Sequence, residues 1–332
     1  MIEHVAEPPA NDERLARLDA KMAALHLEGH WRLPLASRRE PSPYAKPYLW
    51  RWNDVRSSLI EAGECHALAA DAGRRTVRLS TPGLAGNKTT PTLQTSIQLV
   101  KPGEIAPAHR HTMGALRYVI EGTGGYTTVN GAKLYMEPGD LVLTPGWSWH
   151  DHGHEGDVPM IWIDGHDFPF THFINGFFSQ GYSQPQQAVT SIGSPTEHYV
   201  FKGSESRAQL SALGPDAADA AWGPTVTFTD PRTGHSTLPT MTCRLSRLQD
   251  GQETTRTRRT ANVVYHVVAG SGVTFAGGEE LHWNAGDFFV VPAWTWQQHR
   301  AEGTGEAILF SMSDEPILEK FGVLRVETGA PA

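Results

Sequence analysis

Several common features are missing from the sequence. It has two cysteines in 332 residues, Cys65 and Cys243, too few for a disulfide framework, and it contains no C-x-x-C metal motif. Positive charge is not in excess, since the net charge is −8, so nucleic acid is not expected as a partner. No apolar run approaches the ~18 residues that cross a bilayer, and the first residues lack the regions of a secretory signal. A cytoplasmic protein with no membrane partner is therefore expected.

Glycine and proline, in contrast, are abundant, with 33 Gly and 23 Pro spread along the chain. From residue 76 onward, short runs rich in Val, Ile, Leu, Thr and Tyr alternate with Gly and Pro turns. Examples are the segments 96–100, 116–121, 125–129 and 160–163. This pattern is typical of an antiparallel sandwich or barrel.

The first 75 residues have a different pattern. Apolar residues recur at helical spacing over 11–27, and Asn11 or Asp12 can cap this helix. A second short helix is predicted to begin near Asn53. Together they form a helical arm whose apolar stripe is expected to pack against this chain or a partner subunit.

Three motifs recur in the same order in the second half of the chain, at offsets of 147 or 148 residues. They are GTG at 122–124 and GSG at 270–272, PGD at 138–140 and AGD at 285–287, and PGWSWH at 145–150 and PAWTWQ at 292–297. Ordered matches at so constant an offset indicate a duplicated β domain. The predicted organisation is an N-terminal arm (1–75), a first β domain (76–182), a connecting segment with some helix (183–236) and a second β domain (237–332).

Three histidines of the first repeat have the spacing of a metal site. His109 and His111 are two residues apart on a predicted strand, so both imidazoles point to the same face. His150 follows the glycine turn and the strand after it, and its imidazole would complete a facial triad. A lone histidine on a strand is more often a satisfied polar residue than a ligand. A pair at this spacing, with a third histidine after a matching turn, predicts a metal site instead.

These motifs resemble those of the cupin superfamily. The first cupin motif, G-x5-H-x-H followed by a Glu and a Gly, and the second, G-x5-P-x-G-x2-H, are matched by Gly103, His109, His111, Gly122, Gly139, Pro145 and His150. The resemblance implies a mainly β fold with two tandem cupin domains, each a double-stranded β-helix or jelly roll, behind an N-terminal helical arm.

Two positions depart from the cupin pattern. The usual glutamate ligand would fall at Ala115 or Leu116, neither of which binds metal, and Trp147 stands in place of the second motif's glycine. Three histidines and no carboxylate are therefore expected to hold the metal. Imidazole suits iron, zinc, copper and nickel, so the ligand type alone does not identify the metal. Three neutral ligands leave the metal its full double positive charge and up to three open coordination positions. The carboxylate and phenolate of a salicylate-type substrate would neutralise that charge, and one position would remain for dioxygen.

The second repeat has lost these ligands. Thr257 and Arg259 stand opposite the first two histidines, and Gln297 stands opposite the third, while His299 remains opposite His152. The second cupin is therefore predicted to be free of metal and to serve structure or assembly.

The segment 98–170 resembles the two-cupin gentisate, salicylate and 1-hydroxy-2-naphthoate 1,2-dioxygenases. The resemblance rests on AHRHT at 108–112, ALRYVIEG at 115–122 and TPGWSWHDH at 144–152, and LWRWND at 49–54 is similar to their N-terminal arm. It implies one Fe(II) per subunit, held by the three histidines, and O2 as co-substrate. The reaction implied is cleavage of a small aromatic carboxylate between its carboxyl- and hydroxyl-bearing carbons. A homo-oligomer, namely a tetramer, is also implied.

The same resemblance assigns roles to further residues. Arg117 is expected to meet the substrate carboxylate or the oxygen-derived anion, and His152 to act as acid or base at the phenol or peroxide. Asp164 is expected to orient one of these groups, with a purely structural role as the alternative. Arg74 and Arg75 are weaker candidates for anchoring the substrate, with a solvated pair as the alternative.

One departure from the family bears on the substrate. The family often has a Leu-Trp pair in the strand ahead of the first motif, and here the pair is Leu93-Gln94. If Gln94 faces the site, its amide favours a ring substituent that forms hydrogen bonds, because a buried amide without a partner costs roughly 1–3 kcal/mol. The second hydroxyl of gentisate and the nitro group of 5-nitrosalicylate fit this hypothesis better than salicylate or a naphthoate does.

Two alternatives remain open from the sequence. A cupin metalloenzyme of other chemistry, such as an isomerase, hydrolase or decarboxylase, would use the same ligands with zinc or manganese. A non-catalytic two-cupin protein that binds a small molecule would often have lost the ligands of both halves, whereas this chain keeps a full set in one. A cupin regulator of DNA would need a helix-turn-helix segment, which the sequence does not show.

Overall fold

The computed structural model describes residues 10–32, 40–41, 44–65, 75–193, 200–214 and 218–329. The chain divides into two compact units, Met1–Pro41 and Ser42–Ala332. Within the described parts of the chain, no helix is long and apolar enough to cross a membrane.

The described part of the first unit contains helix α1 (Ala10–Ala24) and a 3-10 turn (His30–Arg32). The helix ends three residues before the predicted end at residue 27. His26 takes a left-handed φ of 55°, and the Leu27 amide donates a hydrogen bond to the Met22 carbonyl at 2.8 Å. This closure satisfies a carbonyl of the last helical turn and stops the helix.

Most strands of the second unit form two β-barrels, each built from two sheets. The first barrel has one sheet in the order β13-β8-β5-β10-β3-β2 and another in the order β11-β4-β9-β6-β7-β12. Their bounds are β2 Thr76–Arg78, β3 Gln94–Val100, β4 Ile105–His111, β5 Ala115–Glu121, β6 Gly125–Val129, β7 Ala132–Tyr135, β8 Leu141–Thr144, β9 His150–His154, β10 Met160–His166, β11 Ser179–Gly181, β12 Ser191–Ile192 and β13 Val200–Phe201.

The second barrel repeats this arrangement. Its sheets have the orders β1-β21-β18-β23-β16-β15-β14 and β20-β19-β22-β17-β24. Their bounds are β1 Tyr48–Trp50, β14 Ala218–Asp219, β15 Gly223–Phe228, β16 Thr242–Leu248, β17 Thr257–Arg259, β18 Val263–Ala269, β19 Ser271–Ala276, β20 Glu279–Asn284, β21 Phe288–Val291, β22 Gln297–Ala301, β23 Ala307–Ser313 and β24 Val326–Thr328. Two tandem barrels in a mainly β chain confirm the predicted fold class.

In the described parts of this unit, helices α2 (Trp52–Cys65), α3 (Phe168–Phe173), α4 (Gly203–Ala212) and α5 (Glu315–Lys320) accompany the barrels. Helix α2 begins one residue before the predicted start of the second helix. Strand β1 lies just ahead of it and pairs with β21, so the segment that precedes the first barrel supplies an edge strand to the second.

Strand β5 shows how the sheets separate two environments. Leu116 and Tyr118 belong to the core between the barrels, where Tyr118 stacks on Phe310 at 4.1 Å. Val119 belongs instead to the interior of the first barrel. Because side chains alternate along a strand, Arg117 also points into that interior. The alternation therefore places a buried cation inside the barrel.

The repeated motifs mark backbone positions that side chains tolerate poorly. Gly122 and Gly270 have φ of 92° and 78°, and a Cβ at either would collide with a backbone carbonyl of the neighbouring strand. Trp147 and Trp294 have φ of 66° and 58°. Trp147 thus keeps the left-handed backbone of the cupin glycine it replaces, and its amide donates to the carbonyl of His111 at 2.7 Å.

Candidate active site

The structure brings His109, His111 and His150 together inside the first barrel. Strand β4 carries the first two, β9 begins with the third, and His109 lies opposite His150 in the register between them. One ring nitrogen from each lies within 4.8 Å of the others, and the ring centroids are 4.3 to 5.5 Å apart. This is the one group of three metal-binding side chains found among the described residues.

Backbone carbonyls fix the orientation of all three rings. The Nδ1 atoms of His109, His111 and His150 lie 2.7, 2.9 and 3.0 Å from the carbonyls of Pro107, Met113 and Ser148. A carbonyl only accepts, so each ring carries its proton on Nδ1 and its lone pair on Nε2. Three neutral imidazoles in the same tautomer are the donor set that a divalent transition metal requires, so the residues fit such an ion.

The corresponding positions of the second barrel are filled by its own side chains. Thr257 lies opposite Gln297 in the register, as His109 lies opposite His150. Arg259 is 6% exposed and is ion-paired with Glu315, and Arg244 holds the other oxygen of that carboxylate. Thus a buried ion-pair cluster occupies the place of the histidine triad.

Arg117 lies on β5, in the other sheet of the barrel from the one that carries the triad, and is fully buried. It donates to Thr144 Oγ1 at 2.7 Å, and its Nε lies 3.5 Å from Asp164 Oδ1. Asp164 stands directly opposite Arg117 in the register and also accepts from Trp162 Nε1 at 3.1 Å. The structure therefore joins two of the predicted site residues in one buried ion pair.

His152 lies on β9 two residues after His150, with the two ring centroids 5.8 Å apart. Its Nδ1 is 2.8 Å from Thr127 Oγ1, whose hydroxyl donates to Met136 Sδ at 3.5 Å. The hydroxyl thus accepts from Nδ1, which leaves the lone pair of His152 on Nε2. Its ring also lies 5.7 Å from that of Trp162, so a chain of contacts joins the triad to Asp164 and Arg117.

A small cavity of about 110 Å³ adjoins this group. It is lined by Thr76, Arg78, Ser96, Met113, Ala115, Arg117, Asp164 and His166. Met113 connects it to the triad, because its carbonyl accepts from His111. A larger groove of about 560 Å³ lies elsewhere, between the barrels, and its lining contains neither Arg117 nor Asp164.

The sequence interpretation missed Arg78, Ser96, Gln98 and His166. Gln98 is 1% exposed, neither of its amide atoms has a hydrogen-bond partner among the described residues, and it lies opposite Trp162. A signal was present: along β2 and β3, polar residues alternate with Val77, Ile97 and Leu99, which belong to the core between the barrels or pack against it.

Two further predicted residues, Gln94 and Arg75, are not among the residues that line the cavity. Gln94 is buried, and its amide nitrogen donates to Thr89 Oγ1 at 3.1 Å and to the Thr95 carbonyl at 3.0 Å. Arg75 is 2% exposed and pairs with both oxygens of Glu104, so it is not solvated. Arg74 lies outside the described residues.

Comparison with known proteins adds independent findings. The family model for the cupin domain matches residues 96–166 and 244–313. A 5-aminosalicylate 1,2-dioxygenase of Comamonas sp. is 35% identical over 315 residues, which cover 88% of this chain and 84% of that protein. Gentisate 1,2 dioxygenase 1 of Aquipseudomonas alcaligenes is 33% identical over 344 residues, which cover 96% and 98%.

Solved structures agree with these similarities. A variant of the salicylate 1,2-dioxygenase from Pseudoaminobacter salicylatoxidans, in complex with gentisate, superposes with a TM-score of 0.89. It is 29% identical in sequence, and the match covers 100% of this chain and 99% of that one. The shared architecture therefore extends over both barrels.

Proposed function

Since this chain belongs to the family of two-cupin gentisate, salicylate and 1-hydroxy-2-naphthoate 1,2-dioxygenases, we propose that it opens the ring of a 5-substituted salicylate with dioxygen. Cleavage falls between the carboxyl- and hydroxyl-bearing carbons, and both oxygen atoms enter the product, a ring-opened oxo-dicarboxylate. One observation carries the proposal: three histidines in one tautomer lie beside a cavity that contains a buried arginine.

The metal of this proposal is iron(II), one per subunit, held by His109, His111 and His150. An iron(II) held by these residues would supply a Lewis acid for the substrate and the redox chemistry with dioxygen that redox-inactive zinc would not supply. The barrel interior keeps the three rings buried or half-buried, which limits the access of bulk water.

Arg117 binds the substrate carboxylate in this proposal. Its guanidinium stays charged, is fully buried and is held by Thr144 and Asp164, and its planar fork of donors matches a carboxylate. Asp164 holds the guanidinium in place and balances its charge before the substrate arrives. The pair therefore positions the carboxylate without leaving an isolated buried cation.

His152 receives the proton of the substrate hydroxyl. Its Nδ1 is oriented by Thr127, so Nε2 carries the lone pair that acts as the base. The ring lies between His150 and Trp162, on the path from the triad to the cavity. The same nitrogen can return the proton at a later stage of the reaction. The Gln98 amide is a further group that could bind the substrate.

The experiment that tests the function is oxygen uptake by protein loaded anaerobically with iron(II). Salicylate, gentisate, 5-nitrosalicylate, 5-halosalicylates and 1-hydroxy-2-naphthoate are offered in parallel. We expect uptake together with loss of aromatic absorbance, and loss of both in His111→Ala. The matched control is His282→Ala, because His282 is an exposed histidine of the second barrel. No uptake with any substrate at full iron content would refute the proposal.

Two further properties belong to the same proposal. We propose a homotetramer, on the strength of the family resemblance, and light scattering on the purified protein gives its mass directly. We also propose a cytoplasmic location and a small aromatic carboxylate as the partner. Cell fractionation tests the location.

A further inference from the structure

One row of side chains crosses four strands of the first barrel. Arg78 on β2 lies opposite Ser96 on β3, Ser96 lies opposite Asp164 on β10, and Asp164 lies opposite Arg117 on β5. Residues opposite one another in a sheet point to the same side, so all four face the barrel interior. They also line the cavity of about 110 Å³.

The row places an arginine at each end. Neighbouring strands are about 4.8 Å apart, so three strand spacings put the two arginine backbones roughly 14 Å from each other. Both side chains are long and line the same cavity. An arginine at each end of the row suits a ring with acceptor groups on opposite edges.

The charges of the row do not cancel. Arg117 is balanced by Asp164 at 3.5 Å. Arg78 is exposed, and no carboxylate pairs with it among the described residues. In the proposed function, the substrate's carboxylate and phenolate offset the two charges of the metal, since its three ligands are neutral. One positive charge at the outer end therefore remains for a further acceptor on the substrate.

We propose that Arg78 is a specificity-determining residue that selects salicylates with a negatively charged or nitro acceptor on the ring edge opposite the carboxylate and hydroxyl. This inference rests on the proposed function, because it takes the carboxylate of the substrate to lie at Arg117. The arginine donates charge-assisted hydrogen bonds to nitro, carboxylate or sulfonate oxygens. An amino substituent offers donors instead and gains nothing from it.

The test compares wild type with Arg78→Met, Arg78→Lys and Arg56→Met. Arg56 is a suitable control because it is an exposed arginine of helix α2 outside the cavity lining. For each protein, kcat/KM is measured with 5-nitrosalicylate, salicylate and 5-aminosalicylate. We expect the preference for 5-nitrosalicylate over salicylate to fall about tenfold in Arg78→Met, to recover in part in Arg78→Lys and to stay unchanged in Arg56→Met.

A binding measurement separates this inference from the proposed function. The probe is 5-sulfosalicylate, titrated calorimetrically into the metal-loaded protein without oxygen. If the dissociation constant of 5-sulfosalicylate rises about tenfold in Arg78→Met relative to that of salicylate, the inference is supported even if no ring is opened. If rings are opened but the preference ratios and the relative affinities are the same in wild type and Arg78→Met, the role of Arg78 is refuted while the proposed function stands.

Discussion

Each of the three clustered histidines is oriented by a backbone carbonyl only two residues away. Pro107 and Ser148 precede His109 and His150 by two positions, and Met113 follows His111 by two. No distant side chain is needed to set the tautomer, so the short sequence motifs carry most of the geometry of the site. This locality explains why spacing alone pointed to these residues.

Arg117 gives a prediction at the same scale. Replacement with Met removes the charge that we propose binds the carboxylate, and kcat/KM should fall by about 10- to 100-fold, the loss expected for a charged hydrogen bond. The kcat/KM of Arg117→Lys should lie between those of wild type and Arg117→Met, because an ammonium keeps the charge but cannot reproduce the guanidinium fork. Steady-state kinetics with iron content measured for each variant checks this. The double variant Arg117→Met/Asp164→Asn separates substrate binding from the loss of a buried ion pair.

His152 gives a second prediction at the residue scale. His152→Gln should lower kcat by about 100- to 10,000-fold, the usual contribution of a general base. The loss should be smaller for salicylates with more acidic phenols, because they give up the proton more readily. The chain contains its own control: His299 contacts Thr274 at 2.8 Å as His152 contacts Thr127, and His299→Gln should keep kcat and iron content. An equal loss for every phenol would argue against proton transfer by His152.

At the scale of elements, a buried aspartate lies between β10 and α3 in the first barrel, and another lies between β23 and α5 in the second. Asp167 precedes α3, accepts from the Gly114 amide at 3.1 Å and from the Thr240 hydroxyl, and so ties the first barrel to the turn before β16 of the second. Asp314 precedes α5 and accepts from the amide of Asn262 at 2.7 Å. The duplication thus extends to these connections.

Asp167 makes stability depend on pH. Burial raises its pKa to about 6, against an ordinary value of 3.8, although hydrogen bonds from Thr240 and Gly114 oppose the shift. The folded protein therefore binds this proton more tightly than the unfolded chain does. The stabilisation is complete below about pH 4, is lost as pH rises through 6, and amounts to about 3 kcal/mol.

Asp167→Asn should remove this dependence, because Asn does not ionise. As pH rises from 4 to 7, the free energy of unfolding of the variant should therefore increase relative to that of wild type by about 3 kcal/mol. Urea unfolding of both proteins across that range measures the difference. The buried His266 and His299, with pKa values lowered to about 4 and about 3, titrate in both proteins and cancel in the comparison. A constant difference across the range would contradict the assignment.

At the scale of the whole molecule, the two barrels have the same framework but different interiors. Their outer faces meet in a shared core in which Tyr118 stacks on Phe310. The interior of the second barrel holds Arg259, Glu315 and Arg244, with both guanidiniums over the ring of Trp222 at 4.5 and 4.7 Å. Ion-paired side chains therefore lie in the second barrel where the first barrel has its three histidines.

Removal of one member of this cluster should destabilise the molecule without changing its metal content. Arg259→Met leaves Glu315 buried with Arg244 alone, so the free energy of unfolding should fall by about 1–3 kcal/mol. Arg300→Met, at an exposed pair with Glu302 in the same barrel, should leave the free energy of unfolding nearly unchanged, because solvent screens an exposed ion pair. Denaturant unfolding and iron analysis of both variants test this. Loss of iron from Arg259→Met would contradict a purely structural second barrel.

The candidate site could be predicted from the sequence only in part. Residues fixed by short motifs, such as His111 and His150, come together as their spacing suggests. Gln94 lies opposite the cavity-lining His166, but it is not among the lining residues itself, and Thr89 and the Thr95 carbonyl accept hydrogen bonds from its amide. Arg75 pairs with Glu104, 29 residues along the chain. Both outcomes depend on partners that no local pattern identifies.

The sequence by itself determined the duplication, the mainly β class, the triad of the first repeat and the loss of ligands in the second. Each follows from spacing along one strand or from a motif repeated at a constant offset. The tertiary structure alone decided that Arg78, Ser96, Asp164 and Arg117 form one row, and that Glu315 reaches Arg259 to fill the second barrel. The reason is physical: cross-strand register and ion pairing join residues distant in sequence, and only the closed barrels bring them into contact.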